Sequence, residues 1–236
     1  EANLYWAERL ESWGATVMYS IPELKVHAKL LLINRKQKQF TYLGTGNFNE
    51  DTARIYSDYG LFTADKRITN EVVQVFDFLE YNTHPTKLFK HLLVGQFRMR
   101  RNIYKLINQE IENAREGKKA EITLKLNSIQ DPRMIARLYD ASNAGVKIRM
   151  IVRGTCSLVP GQVGFSENIE AISIVDRFLE HSRIYMFHNE GQEKIYLSSA
   201  DLMTRNLFFR IECAFPVYDQ DIKQEIIDFL NIQFQD

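Results

Sequence analysis

The sequence predicts an α/β fold made of two related halves, with mixed sheets flanked by helices. Short segments such as "VHAKLLLI" (26–33) and "KIYLSS" (194–199) alternate apolar and polar residues, a period typical of half-buried strands. Amphipathic helical patterns, such as "IYKLINQEIENAREG" (103–117), separate many of these segments, and a motif recurs at matched spacing in both halves. Strands that alternate with helices favour a fold with substantial parallel pairing.

The individual elements follow from these two periods. Helices are predicted over 3–13, 68–81, 103–117, 131–145 and 219–234. Strands are predicted over 15–20, 26–33, 39–45, 57–64, 120–127, 146–152, 182–187, 194–199 and 209–218. The second half thus has a strand and a full helix before "AGVKIRMIV", whereas the first half begins inside the corresponding helix. We therefore expect two domains, a first one at 1–94 that lacks its N-terminal part and a second one at 95–236.

The composition narrows the classes of partner. The 236 residues include 30 Lys and Arg against 30 Asp and Glu, so the chain has no overall charge with which to attract nucleic acid. The two cysteines form no metal-binding pair, and no apolar run approaches the roughly 20 residues of a membrane span. A reducing compartment is the default expectation. Because the chain opens in a helical pattern without Met, we expect it to be a piece of a longer protein.

The internal repeat is the most informative feature. In the first half, His27 lies 17 positions before Gly44 in the tight turn "GTGNFN". In the second half, His181 lies 17 positions before Ser198 in "SSADLM". A lone histidine on a strand is usually structural, but two histidines at identical spacing to a small-residue turn are much rarer by chance. His84, His91 and His188 lack this context, and we interpret them as surface or packing residues.

Further polar residues recur with the two histidines. A cation follows each histidine by two residues, Lys29 in the first half and Arg183 in the second, on the same strand face. Each turn then carries a polar side chain at the same offset, Asn47 or Asp201. Two imidazoles among fixed cations suit phosphoryl transfer, because one imidazole can attack phosphorus while the other moves a proton. The cations can bind the phosphate oxygens as charge develops.

Four other residues are weaker candidates. Arg153 ends a strand before a Gly-rich loop, where α/β sheets place ligand contacts, although a solvated loop arginine has the same pattern. Tyr56 could stack on a base or fill a core edge. Lys125 and Asn127 share the polar face of their strand, which fits phosphate contact and solvent exposure equally well. The basic segment "RMRRN" (98–102) is more typical of a solvated helix start than of a binding site.

The same strings resemble a known family. The paired His-x-Lys/Arg arrangement resembles the phospholipase D superfamily, and "LKVHAKLLLI", "YLGTGNFNEDTARIYSDYGLFTAD", "NAGVKIRMIVRG" and "YLSSADLMTRNL" are similar to the carboxy-terminal half of bacterial polyphosphate kinases. The resemblance covers nearly the whole chain. It implies two phospholipase-D-like α/β domains, the first lacking its N-terminus. His-x-Arg in the second copy fits the kinases better than the lipases, which have His-x-Lys twice.

The resemblance also implies functional roles. His27 would accept the terminal phosphate of ATP and pass it reversibly to polyphosphate, with His181 as proton donor or acceptor. Arg153 and Tyr56 would contact the nucleotide, and Lys29, Arg183, Asn47, Asp201, Lys125 and Asn127 would line the substrate site. Family members use magnesium, with its arginine-linked shell expected upstream of Glu1, so the chain alone is expected to be inactive or weak. They are also expected to form homo-oligomers in the cytoplasm, at or near the inner membrane.

Two other functions stay open at the level of sequence. One is a phosphodiesterase or phosphatidyltransferase of the phospholipase D superfamily. The other is a module that binds polyphosphate or nucleotide without catalysis. A phosphorylated histidine favours the kinase, because the P–N bond keeps a high transfer potential and the reaction can then run both ways.

Overall fold

The computed structural model describes residues 2–19, 21, 24–83, 85 and 89–236. The helices in these ranges are α1 (Ala2–Ser12), α2 (Glu50–Ile55), α3 (Lys66–Tyr81), α4 (Met99–Arg115), α5 (Pro132–Asn143), α6 (Thr204–Phe208) and α7 (Gln220–Gln233). The strands are β1 (Lys25–Val26), β2 (Lys29–Arg35), β3 (Lys38–Gly44), β4 (Tyr56–Ser57), β5 (Gly60–Thr63), β6 (Leu93–Val94), β7 (Glu121–Leu126), β8 (Lys147–Val152), β9 (Ile169–Ile172), β10 (Leu179–Glu180), β11 (Arg183–Phe187), β12 (Lys194–Ser198), β13 (Arg210–Ile211) and β14 (Cys213–Val217). The predicted α/β class is confirmed.

The second half is built on a mixed sheet of seven strands, in the order β6-β14-β12-β11-β7-β8-β9. Strands β7, β8 and β9 are parallel, and the remaining neighbours are antiparallel. Helix α5 makes the crossover from β7 to β8, and it begins at Asp131, whose side chain accepts a hydrogen bond from the Met134 amide. The C-terminal ends of β7, β8 and β12 and the N-terminal ends of β11 and β14 lie at the same end of this sheet. Residues that flank these strands can therefore meet there.

The first half repeats part of this sheet. Strands β2, β3 and β5 form an antiparallel sheet whose pairing matches that of β11, β12 and β14. Most of the corresponding elements start about 154 residues apart, as α2 and α6 do and as α3 and α7 do. Helices α3 and α7 even begin at equivalent caps, Asp65 and Asp219, each of which accepts a backbone hydrogen bond. The internal repeat is therefore a repeat of tertiary structure.

Two short parallel ladders join the halves. Strand β1 of the first half pairs with β13 of the second, and β4 of the first half pairs with β10 of the second. Each strand of one ladder corresponds by the repeat to a strand of the other, so the junction has an approximate two-fold symmetry. This crossing brings the start of β2 next to residues that precede β14.

The two halves also share a hydrophobic core. One cluster lies on the α4 and α5 side of the seven-stranded sheet and includes Ile103, Leu124 and Leu138. A second cluster combines Val72 of α3 and Leu43 with second-half residues of the sheet and α7. Because this second cluster is continuous, the halves are packed against each other and their relative position is fixed by apolar burial.

Four predicted strands differ from the structure, and two of these are split into shorter ones: 57–64 into β4 and β5, and 209–218 into β13 and β14. Residues 15–19, the described part of the predicted strand 15–20, form no strand. The predicted strand 26–33 is broken, because His27 and Ala28 lie between β1 and β2 and both of their amides donate to the Ile211 carbonyl, at 2.8 and 2.9 Å. A strand that changes partners must leave its first ladder before it enters the second. Among the described residues, no helix is long and apolar enough to cross a membrane.

Candidate active site

The break between β1 and β2 places the His27 imidazole against a buried carboxylate. Nδ1 of His27 lies 2.8 Å from Oε2 of Glu212, which directly precedes β14. The His27 side chain is 22% exposed, whereas that of Glu212 is fully buried. A carboxylate accepts hydrogen bonds, so Nδ1 carries the proton and the Nε2 lone pair is free to act as a nucleophile.

Glu212 is itself held by two further donors. The Ser199 hydroxyl donates to Oε2 at 2.5 Å, and the Asn206 side-chain amide donates to Oε1 at 2.6 Å. Ser199 in turn accepts from the Cys213 amide at 3.1 Å. These hydrogen bonds offset the free-energy cost of burying the Glu212 carboxylate, and they hold the carboxylate towards His27.

His181 has an equivalent partner from the other half. Its Nδ1 lies 2.9 Å from both carboxylate oxygens of Asp58, and the Thr45 hydroxyl donates to Oδ1 of Asp58 at 2.7 Å. The Tyr56 ring packs beside the imidazole, with centroids 4.9 Å apart. A guanidinium nitrogen of Arg183 lies 3.1 Å from Nε2 of His181. His181 therefore has both ring nitrogens engaged, whereas His27 has a partner only at Nδ1 among the residues that the structure describes.

The two cations of the repeat differ in their charge environment. The Lys29 side chain donates to the His27 carbonyl at 2.5 Å, and the residue is only 6% exposed. Burial lowers the Lys29 pKa to about 8, against the opposing effect of Glu212, and the charge of Arg183 lowers it further. Arg183 forms an ion pair with Asp201 at 3.3 Å and also donates to the His181 carbonyl.

A second network lies at the ends of β7 and β8. The Arg153 guanidinium donates to the Asn127 side chain, which donates to the His181 carbonyl at 3.2 Å. Asp201 accepts from the backbone amides of Asn127 and Ser128, at 2.8 and 3.1 Å. Burial lowers the pKa of Arg153, and the nearby charge of Arg183 lowers it further. The structure thus brings Arg153, Asn127 and Asp201 to the His181 side of the site.

Two candidates have surroundings that the pattern did not indicate. Lys125 and Asn127 are not solvent-exposed: Lys125 is 1% exposed, and its ammonium group donates to Glu180 and Ser182. A strand that is covered on both faces buries even its polar positions, and Lys125 is then neutralised by a partner. Asn47, by contrast, is exposed, so its surroundings differ from those of Asp201 at the equivalent position.

The other histidines lie away from these contacts. Nδ1 of His91 lies 2.6 Å from the Tyr218 hydroxyl, and Nδ1 of His188 lies 3.6 Å from Glu193. His84 lies outside the described residues. Within the described ranges, no group of three or more His, Cys, Asp or Glu side chains could hold a metal ion. Magnesium therefore stays a prediction of the resemblance.

Comparison with known proteins identifies the family. Residues 1–85 match the model of polyphosphate kinase C-terminal domain 1, and residues 92–236 match that of polyphosphate kinase C-terminal domain 2. The chain belongs to the polyphosphate kinase family. It is 51% identical over 240 residues to the polyphosphate kinase of Escherichia coli K12 and 53% identical to that of Vibrio parahaemolyticus. Each alignment covers the whole chain but only 35% and 34% of those relatives.

A solved structure shows the same fold. The crystal structure of polyphosphate kinase from Porphyromonas gingivalis superposes with a TM-score of 0.92 at 47% identity, over 99% of this chain and 37% of that one. The chain thus corresponds to roughly a third of the polyphosphate kinases to which it is similar. The predicted membership of this family is confirmed.

The two carboxylates of the candidate site were not predicted from the sequence, although the repeat contains them. Asp58 lies 31 residues after His27, and Glu212 lies 31 residues after His181. The hydroxyl residues that support them, Thr45 and Ser199, each lie 18 residues after a histidine. Extending the repeat past the tight turns would have found all four residues. It would not have shown that each carboxylate binds the histidine of the other half.

Proposed function

We propose that this chain carries the catalytic region of a polyphosphate kinase, which transfers the terminal phosphate of ATP to polyphosphate through a phosphorylated His27. The observation that carries this proposal is the pairing of His27 with Glu212. It leaves one unprotonated ring nitrogen available beside Lys29, while the equivalent nitrogen of His181 is engaged by Arg183. The asymmetry distinguishes a nucleophile from an assisting group.

The proposed reaction has two steps. Nε2 of His27 attacks the γ-phosphorus of ATP, the N–P bond forms, and the bond to the bridging oxygen breaks so that ADP leaves with the electron pair. Glu212 stabilises the positive charge on the phosphorylated ring through Nδ1–H. The terminal oxygen of polyphosphate then attacks the same phosphorus, the N–P bond breaks and neutral His27 returns. Both steps need positioning and charge neutralisation more than covalent help from other groups.

The remaining residues have supporting roles in this proposal. Lys29 and Arg183 bind phosphate oxygens, and Arg153 binds the nucleotide phosphates from the far side of Asn127. When Arg183 turns to a phosphate, Nε2 of His181 becomes free to take the proton of an incoming terminal phosphate. Tyr56, beside His181, offers a ring for the adenine base. Asp201 holds Arg183, and Asn47 lies at the exposed rim.

We infer the wider properties from the family alone. They are magnesium as cofactor, assembly as a homo-oligomer, a cytoplasmic location at or near the inner membrane, and two domains that divide at residues 94 and 95. The Gly95 amide donates to the Glu212 carbonyl, which supports placing the chain from Gly95 onward in the second domain, although β6 already pairs with β14.

The direct test uses the full protein and ATP labelled at the γ-phosphate. We expect the protein to acquire a label that acid releases and base does not, which is typical of a phosphoramidate, and we expect peptide mapping to place it on His27. Added polyphosphate should remove the label. Hydrolysis of a phosphodiester substrate with no labelled intermediate would instead assign the site to a phosphodiesterase of the same superfamily.

The pKa of Lys29 gives a second test. Its ammonium form binds phosphate and is lost as the pH rises through about 8, so we expect kcat/KM for ATP to fall about tenfold per pH unit beyond that value. A Lys29→Arg protein keeps its charge and should lack this decline. The equivalent Arg183 indicates that the fold accommodates arginine at this position. An identical alkaline decline in both proteins would assign the titration to another group.

A further inference from the structure

A basic groove lies outside the site, along helix α4. We define it by the cations that line it, Lys90, Arg98, Arg101 and Lys105, and it encloses 460 Å³. Its walls also include apolar and aromatic residues, among them Phe89 and Tyr196. The segment "RMRRN", which the sequence analysis interpreted as a solvated helix start, supplies two of its four cations.

Three of the cations follow one another along α4. Arg101 and Lys105 are four residues apart and share one face of the helix, and Arg98 lies at its N-cap, where the backbone is left-handed. With a rise of 1.5 Å per residue, the row is about 10 Å long. Lys90 also lines the groove, and its backbone amide donates to the buried carboxylate of Glu71 at 2.7 Å. The groove therefore presents a linear charge array rather than a single anion pocket.

The four cations of the basic groove have no carboxylate partner among the residues that the structure describes. No Asp or Glu lines the basic groove, and within the described ranges no ion pair joins any of its four cations to a carboxylate. Arg100, between them in sequence, behaves differently, because its guanidinium lies 4.1 Å from the centre of the Phe208 ring. In a chain with equal numbers of acidic and basic residues, four unpaired cations in one cavity are a local feature and not a general excess.

The basic groove begins close to the active site. The Gly95 amide donates to the Glu212 carbonyl at 2.8 Å, and Glu212 is the partner of His27. Arg98 comes three residues after Gly95, so at most about 11 Å of chain connects the two features. A linear anion whose end reaches His27 therefore has the groove within its reach.

The aromatic residues do not favour nucleic acid. Single-stranded nucleic acid binds through open ring faces on which bases stack. Phe89 is buried, and its ring packs on that of Phe97 with centroids 5.5 Å apart. Tyr196 is mostly buried, and burial raises its pKa to about 12. Such apolar walls strengthen the field of the cations without offering a stacking platform.

We propose that the basic groove binds an internal stretch of the polyphosphate chain whose end reacts at His27. Each internal phosphate carries one negative charge and no base, which matches a row of cations without stacking partners. The inference rests on the proposed function. It predicts that long polyphosphate is held by contacts that ATP and tripolyphosphate do not make, so the growing chain stays bound between rounds of transfer.

The test compares a groove variant and a control variant of the full protein. Arg101→Gln/Lys105→Gln removes two cations of the basic groove, and Arg115→Gln removes an exposed cation from the last turn of the same helix. Binding of end-labelled long polyphosphate and of tripolyphosphate is measured across a range of salt concentrations. We expect the groove variant to bind long polyphosphate about tenfold more weakly, with a salt slope lower by about two, one per lost contact. Its affinity for tripolyphosphate and its KM for ATP should match those of Arg115→Gln.

Other results would overturn the proposal. Equal binding of long polyphosphate by both variants would remove the basic groove from its path. An equal loss for tripolyphosphate would place these cations in the catalytic cleft or in folding. Displacement by single-stranded DNA as effective as that by polyphosphate would make the groove a nucleic-acid site. Failure of the unmodified protein to bind any polyphosphate would refute the proposed function itself, which is a distinguishable outcome.

Discussion

Replacing His27 by alanine is expected to lower polyphosphate synthesis by at least about 10⁴-fold, because the group that accepts the phosphate is gone. The full protein should then acquire no acid-labile label from labelled ATP. The reverse reaction, from polyphosphate to ATP, should fall by the same factor, since both directions pass through the same phosphorylated ring. Initial rates in both directions measure this.

His188→Ala is the matched control for the His27 change. It removes an imidazole whose Nδ1 lies 3.6 Å from Glu193 and which has no part in the His27 or His181 contacts, so activity should be unchanged. A thermal melt of both variants tests whether the fold survives. Full activity in a folded His27→Ala protein would contradict the nucleophile assignment and favour a module that binds its ligand without covalent chemistry.

Replacing Glu212 by glutamine is expected to lower kcat about 10³- to 10⁴-fold. The amide can donate to Nδ1 of His27, which moves the ring proton to Nε2 and blocks the nucleophile, as the equivalent change does in a Ser-His-Asp triad. The new amide also faces the donors Ser199 and Asn206, so we expect the melting temperature to fall as well. Phosphohistidine formation from labelled ATP measures the catalytic part separately.

Asp58→Asn is the informative comparison, because it makes the same change beside His181. We expect it to leave the label on His27 and to slow the later transfer to polyphosphate. The approximate two-fold symmetry makes this a sharp test. If Asp58→Asn abolished the label and Glu212→Gln did not, the nucleophile would be His181.

Much of the candidate site could be predicted from the sequence, because the repeat is regular. The spacing from His27 and His181 to their turns was enough to select both histidines and the cations that follow them. The strand break at His27 could not be predicted, since it depends on a hydrogen-bond acceptor, the Ile211 carbonyl, nearly two hundred residues away. The burial of Lys125 could not be predicted either, because its partner Glu180 lies in β10, which pairs with β4 of the first half.

The basic groove shows a different limit. The row of cations at 98, 101 and 105 is visible in the sequence, but a charge run on a helix is usually solvated. What separates this row from a solvated one is the set of walls around it, which come from β6, β12 and the segment before β6. The local sequence pattern shows the cations of the basic groove, whereas the cavity that they line is seen only in the tertiary structure.

The crossed ladders between the halves determine when the candidate active site is complete. Each histidine is oriented by a carboxylate from the opposite half, so neither half alone contains a complete reactive group. A chain that is still emerging from the ribosome, or one whose halves have separated, has its imidazoles without their partners. Under the proposed mechanism, such a chain lacks the Glu212 contact that orients His27, so we expect ATP not to phosphorylate it. The exchange of partners makes catalytic competence a property of the fully assembled molecule.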